Sequence, residues 1–302
     1  MISINSIPHI LKYMGGKREI LTDIHNALVA MDVKSDTFCD LFAGTSIVAY
    51  AMSDEFDIIV NDIQHYSEIF AKCYMNDYSY VHDIDESVKI IKEKVLHHLQ
   101  LDVLWKETDT LKYNEDMSYQ DVLQYRMKNI LMMFLKKLKE LLTKLRYPHT
   151  HTLRTSSLDY EDCITTLQPG TIIYADPPYS SVHYSRFYHV LETLVRYDNP
   201  KVEYKGRYKE SRYQSPFDQR TKVKQAFEKL FSRIDQQQCH LLLSYSDNAI
   251  LPLSELQNLT HNVLGNHYEH TFYSKNYQHM KMGRNDVARL DVHEVLLSFK
   301  RI

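Results

Sequence analysis

Apolar positions along this chain follow helical spacing in some stretches and form short continuous runs in others, and the alternation predicts its elements. In KREILTDIHNALVAM (Lys17–Met31), Ile20, Ile24, Ala27 and Leu28 recur at helical spacing behind Gly15 and Gly16, which predicts a helix entered from a glycine turn. A buried strand follows around Thr37–Leu41, then a small-residue loop and a helix from about Ser46. DIIVNDI (Asp57–Ile63) reads as a second strand ending in Asn61 and Asp62. Strand, tight loop, helix and strand open a doubly wound α/β sheet.

Between about Tyr66 and Tyr147 the pattern becomes helical throughout, in Asp85–Gln100 and Asp121–Arg146, with no strand separating them. The α/β signal returns at TIIYADPPY (Thr171–Tyr179). It continues through a helix over Phe187–Tyr197 and a strand over Cys239–Asp247. It ends in ARLDVHEVLLSFKRI, where Val292, Val295, Leu296 and Leu297 would lie in the sheet. The expected organisation is one α/β domain from residues 1–65 and 148–302, a helical insertion over 66–147, and a basic, aromatic loop over 200–224.

Composition narrows the class. The chain has 302 residues, 44% hydrophobic and 25% charged, enough for a sizeable core in one large domain or a domain with an insertion. Apolar runs such as ILMMFL (Ile130–Leu135) fall far short of the roughly 18 residues of a membrane span. The N-terminus lacks the layout of a signal peptide, so a cytoplasmic location and no membrane partner are expected. Cys39, Cys73, Cys163 and Cys239 are scattered, which fits reduced thiols better than disulfides or zinc. His97, His98, His149 and His151 lack Cys or acid neighbours at ligand spacing and read as surface residues, so no metal is expected. A net charge of −3 announces no polyanion partner, and charge must be read locally.

Three sites could carry chemistry. FCDLFAGTS places an acid at the end of a buried strand, then a glycine turn into a helix, a crevice where backbone can approach a ligand; the alternative is a plain strand-to-helix turn. Asp62 stands about 20 residues further on, at a strand end where an acid grips ribose hydroxyls, or caps the helix that follows. Neither the dinucleotide fingerprint nor the nucleotide-phosphate loop is present, so the pair favours an adenosine-containing cofactor without a long phosphate chain. In ADPPY, Asp176 stands at the carboxyl end of a strand, Pro177 and Pro178 stiffen the loop and leave carbonyls to accept, and Tyr179 offers a ring face. A carboxylate beside a fixed carbonyl suits the amino group of a planar base.

KYMGGKREI, DLFAGTS, VND and ADPPY, in this order, resemble the motifs X, I, II and IV of the S-adenosylmethionine-dependent DNA N6-adenine methyltransferases, the Dam-like D12 class with motif X at the N-terminus. FYHVLETL and LLLSYSD sit where motifs V and VI fall. The resemblance implies a class I methyltransferase fold, a Rossmann-like doubly wound sheet, and attack of a flipped adenine N6 on the methyl of S-adenosyl-L-methionine. It implies that Asp176 and the Pro177 carbonyl, on the stiff corner with Pro178, hold the amino group while Tyr179 stacks on the base. It further implies that Asp40, Phe42 and Gly44 line the cofactor, that Asp62 takes the ribose hydroxyls, that Tyr13 and Lys17 close over the methionine end, and that Asp159, in RTSSLDYED, lies near the cofactor adenine. Tyr13 stands where the family more often has tryptophan, and AGTS replaces a glycine-rich loop.

A DNA reader must neutralise phosphates and reach base edges. Lys201–Lys224 carries eight Lys or Arg against three acids, with Tyr204, Tyr208 and Tyr213 interleaved, and reads as a loop that orders on nucleic acid or as a solvated surface loop. His183, Tyr184 and Arg186 follow the Asp-Pro-Pro-Tyr corner, and Lys205, Arg207, Lys209 and Arg212 are the expected contacts of the loop. The insertion is favoured for phosphates, and NYQHMKMGRND (Asn276–Asp286) reads as a DNA-facing hairpin or an ordinary loop. Double-stranded DNA is the expected partner, with a cognate restriction endonuclease as a further one; the oligomeric state is not legible. RNA N6-adenine methylation and a catalytically inactive nucleic-acid-binding subunit are the competing readings.

Overall fold

A computed structural model describes Ile7, residues 16–78, 81–99, 130–145, 151–179, Ser185, and residues 188–198, 200–203, 208–210, 212–279 and 290–302. The chain divides into a larger unit, residues 1–7, Lys12–Met75 and His149–Ile302, and a smaller one, Pro8–Leu11 and Asn76–Pro148.

The larger unit opens with a 3-10 turn, Lys17–Ile20, and helix α1, Leu21–Met31. Strand β1 (Thr37–Asp40), helix α2 (Ile47–Met52), strand β2 (Asp57–Asn61) and helix α3 (His65–Met75) follow. Tyr66, Ala71 and Tyr74 of α3 are buried within this unit, which extends to Met75 rather than ending at the residue 65 that the periodicity suggests. After the smaller unit come β3 (Leu153–Ser156), α6 (Tyr160–Thr165), β4 (Ile172–Ala175) and α7 (His189–Arg196). A two-stranded hairpin, β5 (Val202–Glu203) with β6 (Tyr208–Lys209), and a 3-10 turn at Pro216–Asp218 lead into α8 (Val223–Gln236). The basic segment expected as a loop is thus partly regular, and helix begins at Val223, because Val223, Ala226, Phe227, Leu230, Phe231 and Ile234 form one buried stripe. Strand β7 (His240–Ser246), helix α9 (Leu253–Leu264), β8 (Tyr268–His279) and β9 (Leu290–Arg301) complete the unit.

The sheet runs β3-β2-β1-β4-β7-β9-β8, its first five strands parallel and β9 antiparallel to both neighbours. This is the doubly wound arrangement the sequence predicts, closed on one side by an antiparallel pair. All four residues of β4 and six of the seven in β7 are buried, as expected of strands covered on both faces. The chain leaves β1 toward β2 on one side, while β4 pairs on the other, so the strand order reverses between β1 and β4. Ligands bind open α/β sheets in the crevice that such a reversal creates at the carboxyl ends. Within the smaller unit, α4 (Ile84–Leu99) packs against α5 (Ile130–Lys144), and Lys139 pairs with Asp85 across the two.

Candidate active site

The loop after β1 is shaped by conformation and by one acid. Gly44 has φ 51, the left-handed region that a residue without Cβ enters at no steric cost, and its amide donates to Asp62 Oδ2 at 2.9 Å. Asp62 Oδ1 accepts the Gln64 amide at 2.8 Å, so the carboxylate is aimed by backbone from both sides and also caps the start of the segment entering α3. Burial raises Asp62 to about 6, against the lowering pull of those two amides. Each oxygen retains capacity to accept a hydroxyl, as a ribose diol requires.

Asp40 is placed differently. It is buried below the loop, where Oδ2 accepts the Ala49 amide at 3.1 Å, and burial pushes it up to about 8. The amide that a helix start might have offered to a ligand is held by this acid instead, and α2 is only six residues long. Asp40 nevertheless borders a small pocket with Gly16, Lys17, Gly44, Thr45 and Asp176.

The larger cleft, open to solvent, brings together Phe42, Gly44, Asp62, Asp159, Asp176 and Pro178. Phe42 forms part of an aromatic floor, its ring centroid 5.5 Å from Phe217 and 5.9 Å from Tyr160. Asp159 lines the cleft while capping α6 through the Glu161 amide at 3.0 Å, and burial, with the Asp159 carboxylate nearby, raises the Tyr213 hydroxyl above its ordinary value. Asp218, close by, is raised to about 7 by burial, with Arg212 pulling the other way.

Asp176 leaves the end of β4, and its Oδ2 lies 2.9 Å from the Lys17 ammonium. The resemblance puts Lys17 over the methionine end of a cofactor; the side chain is buried at the wall, between Asp176 and Glu294, the latter at 3.6 Å. Burial alone would lower Lys17, but Asp176, Tyr179 and Glu294 reverse this and hold it well above an ordinary lysine. Pro177 is buried and Pro178 faces the cleft. Tyr179 is tied by its hydroxyl to Glu294 Oε1 at 3.1 Å, meets Tyr245 edge-on at 6.1 Å, and carries the Lys17 ammonium 5.4 Å from its centroid, over the ring expected to stack a base.

Several of these residues escape a reading of the sequence. Asn61 donates to the carbonyls of Leu41 (3.3 Å) and Leu158 (3.2 Å) and accepts from Ser156 Oγ (2.7 Å) and the Leu158 amide (3.1 Å), which fixes the cleft edge bearing Asp159. Ser185 Oγ donates to the Tyr213 carbonyl at 2.7 Å, joining the segment after Asp-Pro-Pro-Tyr to the Tyr213–Asp218 wall.

The expected DNA contacts divide. His183, Tyr184, Arg186, Lys205 and Arg207 lie outside the described residues, as does Tyr13, expected over the methionine end of the cofactor. Lys209 is occupied by Asp198 at 2.6 Å, and Arg212 approaches Ser185 Oγ at 3.5 Å, at the cleft rim rather than out on a basic loop. In the smaller unit, Lys137 pairs with Glu140 and Lys139 with Asp85.

Lys17 is the one basic side chain among the described residues lining the two pockets, against Asp40, Asp62, Asp159, Asp176 and Asp218. Asp62, Asp159 and Asp176 as acceptors, with an aromatic floor, suit an adenosine ligand carrying positive charge, and no phosphate cradle is present among the described residues. Among those residues no three His, Cys, Asp or Glu gather as a metal site, and no helix is long and apolar enough to cross a membrane.

The D12 class N6 adenine-specific DNA methyltransferase model matches residues 13–138 and 107–242. Modification methylase LlaI of Lactococcus lactis subsp. lactis is 26% identical over 82% of this chain and 48% of its own length. Type II methyltransferase M.FokI of Planomicrobium okeanokoites is 24% identical over 82% of this chain and 46% of its own. For Type II methyltransferase M.NlaIII of Neisseria lactamica the figures are 23%, 82% and 87%. The chain thus spans about half the length of the first two relatives. With the family model covering residues 13–242, the chain belongs to the D12 class N6 adenine-specific DNA methyltransferases.

Proposed function

We propose that this chain is an enzyme that transfers the methyl group of S-adenosyl-L-methionine to N6 of adenine within a specific DNA sequence, on a base flipped from the duplex. The observation that carries the reading is the shared cleft: Asp176 and Pro178, at the end of β4, line the same space as Phe42, Gly44 and Asp62 at the ends of β1 and β2. Bound S-adenosylmethionine supplies an electrophilic methyl on a cationic sulfur.

This chain's residues do the rest by position. Asp62, aimed by the Gly44 and Gln64 amides, accepts the ribose hydroxyls, and Phe42 and the neighbouring aromatic floor pack against the adenosine. Asp176 and the Pro177 carbonyl accept the two N6 hydrogens, which turns the nitrogen lone pair toward the methyl. Asp176 does this through Oδ1 while Oδ2 keeps Lys17. A C–N bond forms, the C–S bond breaks, and N6 releases one proton to solvent, so orientation and hydrogen bonding matter more than a strong base. Tyr179 forms the wall beside the base.

The names of the relatives support a place in a restriction-modification system, with a cognate endonuclease acting on the same sequence. The test is to express the full chain in a host lacking adenine methylation and sequence its DNA with a method sensitive to modified bases. N6-methyladenine at one sequence motif is expected. Unmodified DNA, with methyl transfer to matched RNA in vitro, would replace DNA by RNA as the substrate; no transfer to either would leave a binding subunit.

A further inference from the structure

Glu294 stands where a charge is costly. It lies on β9, followed in the sequence by Val295, Leu296 and Leu297, and is 3% exposed. Because β9 runs against the parallel strands, its beginning reaches the edge where β4 and β7 end, and Glu294 sits opposite Ser246, the last residue of β7. Burying a carboxylate there requires partners, and three converge on it. Oε1 accepts the Tyr179 hydroxyl at 3.1 Å and lies 3.6 Å from the Lys17 ammonium; Oε2 accepts Ser244 Oγ at 3.2 Å. Through Lys17 the chain of contacts continues to Asp176 at 2.9 Å.

We infer that Glu294 is a positioning residue for methyl transfer, orienting the Tyr179 ring by its hydroxyl and holding Lys17 against Asp176. The inference rests on the methyltransferase reading above and adds to it a residue 118 positions beyond Asp176 in the sequence. Asp176 and Tyr179 are fixed in the sequence only by a short loop, and a ring or carboxylate displaced by about 1 Å costs on the order of a hundredfold in rate. The second carboxylate on Lys17 also keeps that lysine charged, so that it stays on Asp176 as an ammonium donor.

The test measures transfer of tritiated methyl from S-adenosylmethionine to unmethylated genomic DNA by the full chain, with rates normalised to cofactor-binding sites so that misfolded protein does not count. Glu294→Gln keeps the shape and an acceptor for Tyr179 but removes the negative charge beside Lys17. It is expected to lose about ten- to a hundredfold in kcat, with cofactor Kd and KM for DNA unchanged. Tyr179→Phe, which keeps the carboxylate and the ring, is expected to lose kcat as well. The loss in the double variant should be smaller than the product of the two single losses, because the Tyr179 hydroxyl and the Lys17 ammonium meet at the same oxygen, Oε1 of Glu294. Wild-type kcat in Glu294→Gln overturns the inference, as do losses that multiply in the double variant. If Glu294→Gln does not fold, wild-type kcat in Tyr179→Phe overturns it by itself. An inactive wild-type protein overturns the methyltransferase reading and the inference together, whereas an active wild type with an equally active Glu294→Gln overturns the inference alone.

Discussion

The Lys17 ammonium lies 2.9 Å from Oδ2 of Asp176, with the two side chains only 5% and 18% exposed. A pair this dry is costly to break from one side, by up to roughly 3–5 kcal/mol, because the remaining charge stays buried. Asp176→Ala therefore confounds chemistry with stability. Asp176→Asn retains an acceptor for Lys17, and is expected to bind cofactor normally while methyl transfer falls about 10²- to 10³-fold. Wild-type turnover in that variant would remove the carboxylate from the mechanism.

Cofactor affinity should depend on pH through Asp62. With its carboxyl raised to about 6 by burial, protonation on the acid side replaces an acceptor by a donor in the grip on the ribose. Calorimetric titration with S-adenosylmethionine should show affinity falling as pH drops through about 6. Asp62→Asn should weaken binding by about ten- to a hundredfold, the loss of one or two hydrogen bonds to a charged group, and flatten that dependence. Affinity independent of pH in the wild type would place the titrating group elsewhere.

Asp40 makes a prediction of opposite kind, about folding. Burial raises it from an ordinary 3.8 to about 8, so between these values the folded chain holds a proton that the unfolded chain has released. Stability must therefore fall as pH rises across that interval. Asp40→Asn keeps an acceptor for the Ala49 amide and should be more heat-stable than the wild type at pH values near 8, with a shallower pH slope. A variant less stable than the wild type there would mean that Asp40 is ionised in the fold.

The ion pair of the hairpin lysine predicts a weaker DNA contact than its sequence suggests. Lys209, held by Asp198 at 2.6 Å, must exchange one anion for another to reach a phosphate. Lys209→Gln alone is expected to reduce the salt dependence of DNA binding by less than the slope of about 0.9 of a full phosphate contact. Asp198→Asn should strengthen binding at low salt. A full unit of slope lost in Lys209→Gln would assign that ammonium to the backbone of the DNA.

The parts of the site legible in the sequence are those whose chemistry is local. Asp176, Pro177, Pro178 and Tyr179 are consecutive, and Gly44 and Asp62 sit at strand ends 18 residues apart and meet at 2.9 Å. β1, β2, β4, β7 and β9 are readable because buried strands are apolar runs. β3 and β8 are not: β3 is a four-residue edge strand with no fully buried position, and β8, the other edge, is mostly polar. Helix α8 is hidden by its lysines, although Phe227, Leu230, Phe231 and Ile234 carry the spacing. Glu294 and Asn61 are illegible as site residues because their partners lie across the sheet, up to 115 residues away for Tyr179 and 97 for Leu158.

The position of β9 between β7 and β8 has a consequence in time. The parallel half of the sheet, with Asp62, Asp176 and the cleft they share, emerges from the ribosome well before residues 290–301. Until β9 threads into its slot, β8 has no neighbour in the sheet and Tyr179 and Lys17 lack their second anchor. On the methyltransferase reading, a nascent chain can gather the Asp62 side of its cleft while Tyr179 and Lys17 stay unset, so transfer waits until its own β9 has been made and paired.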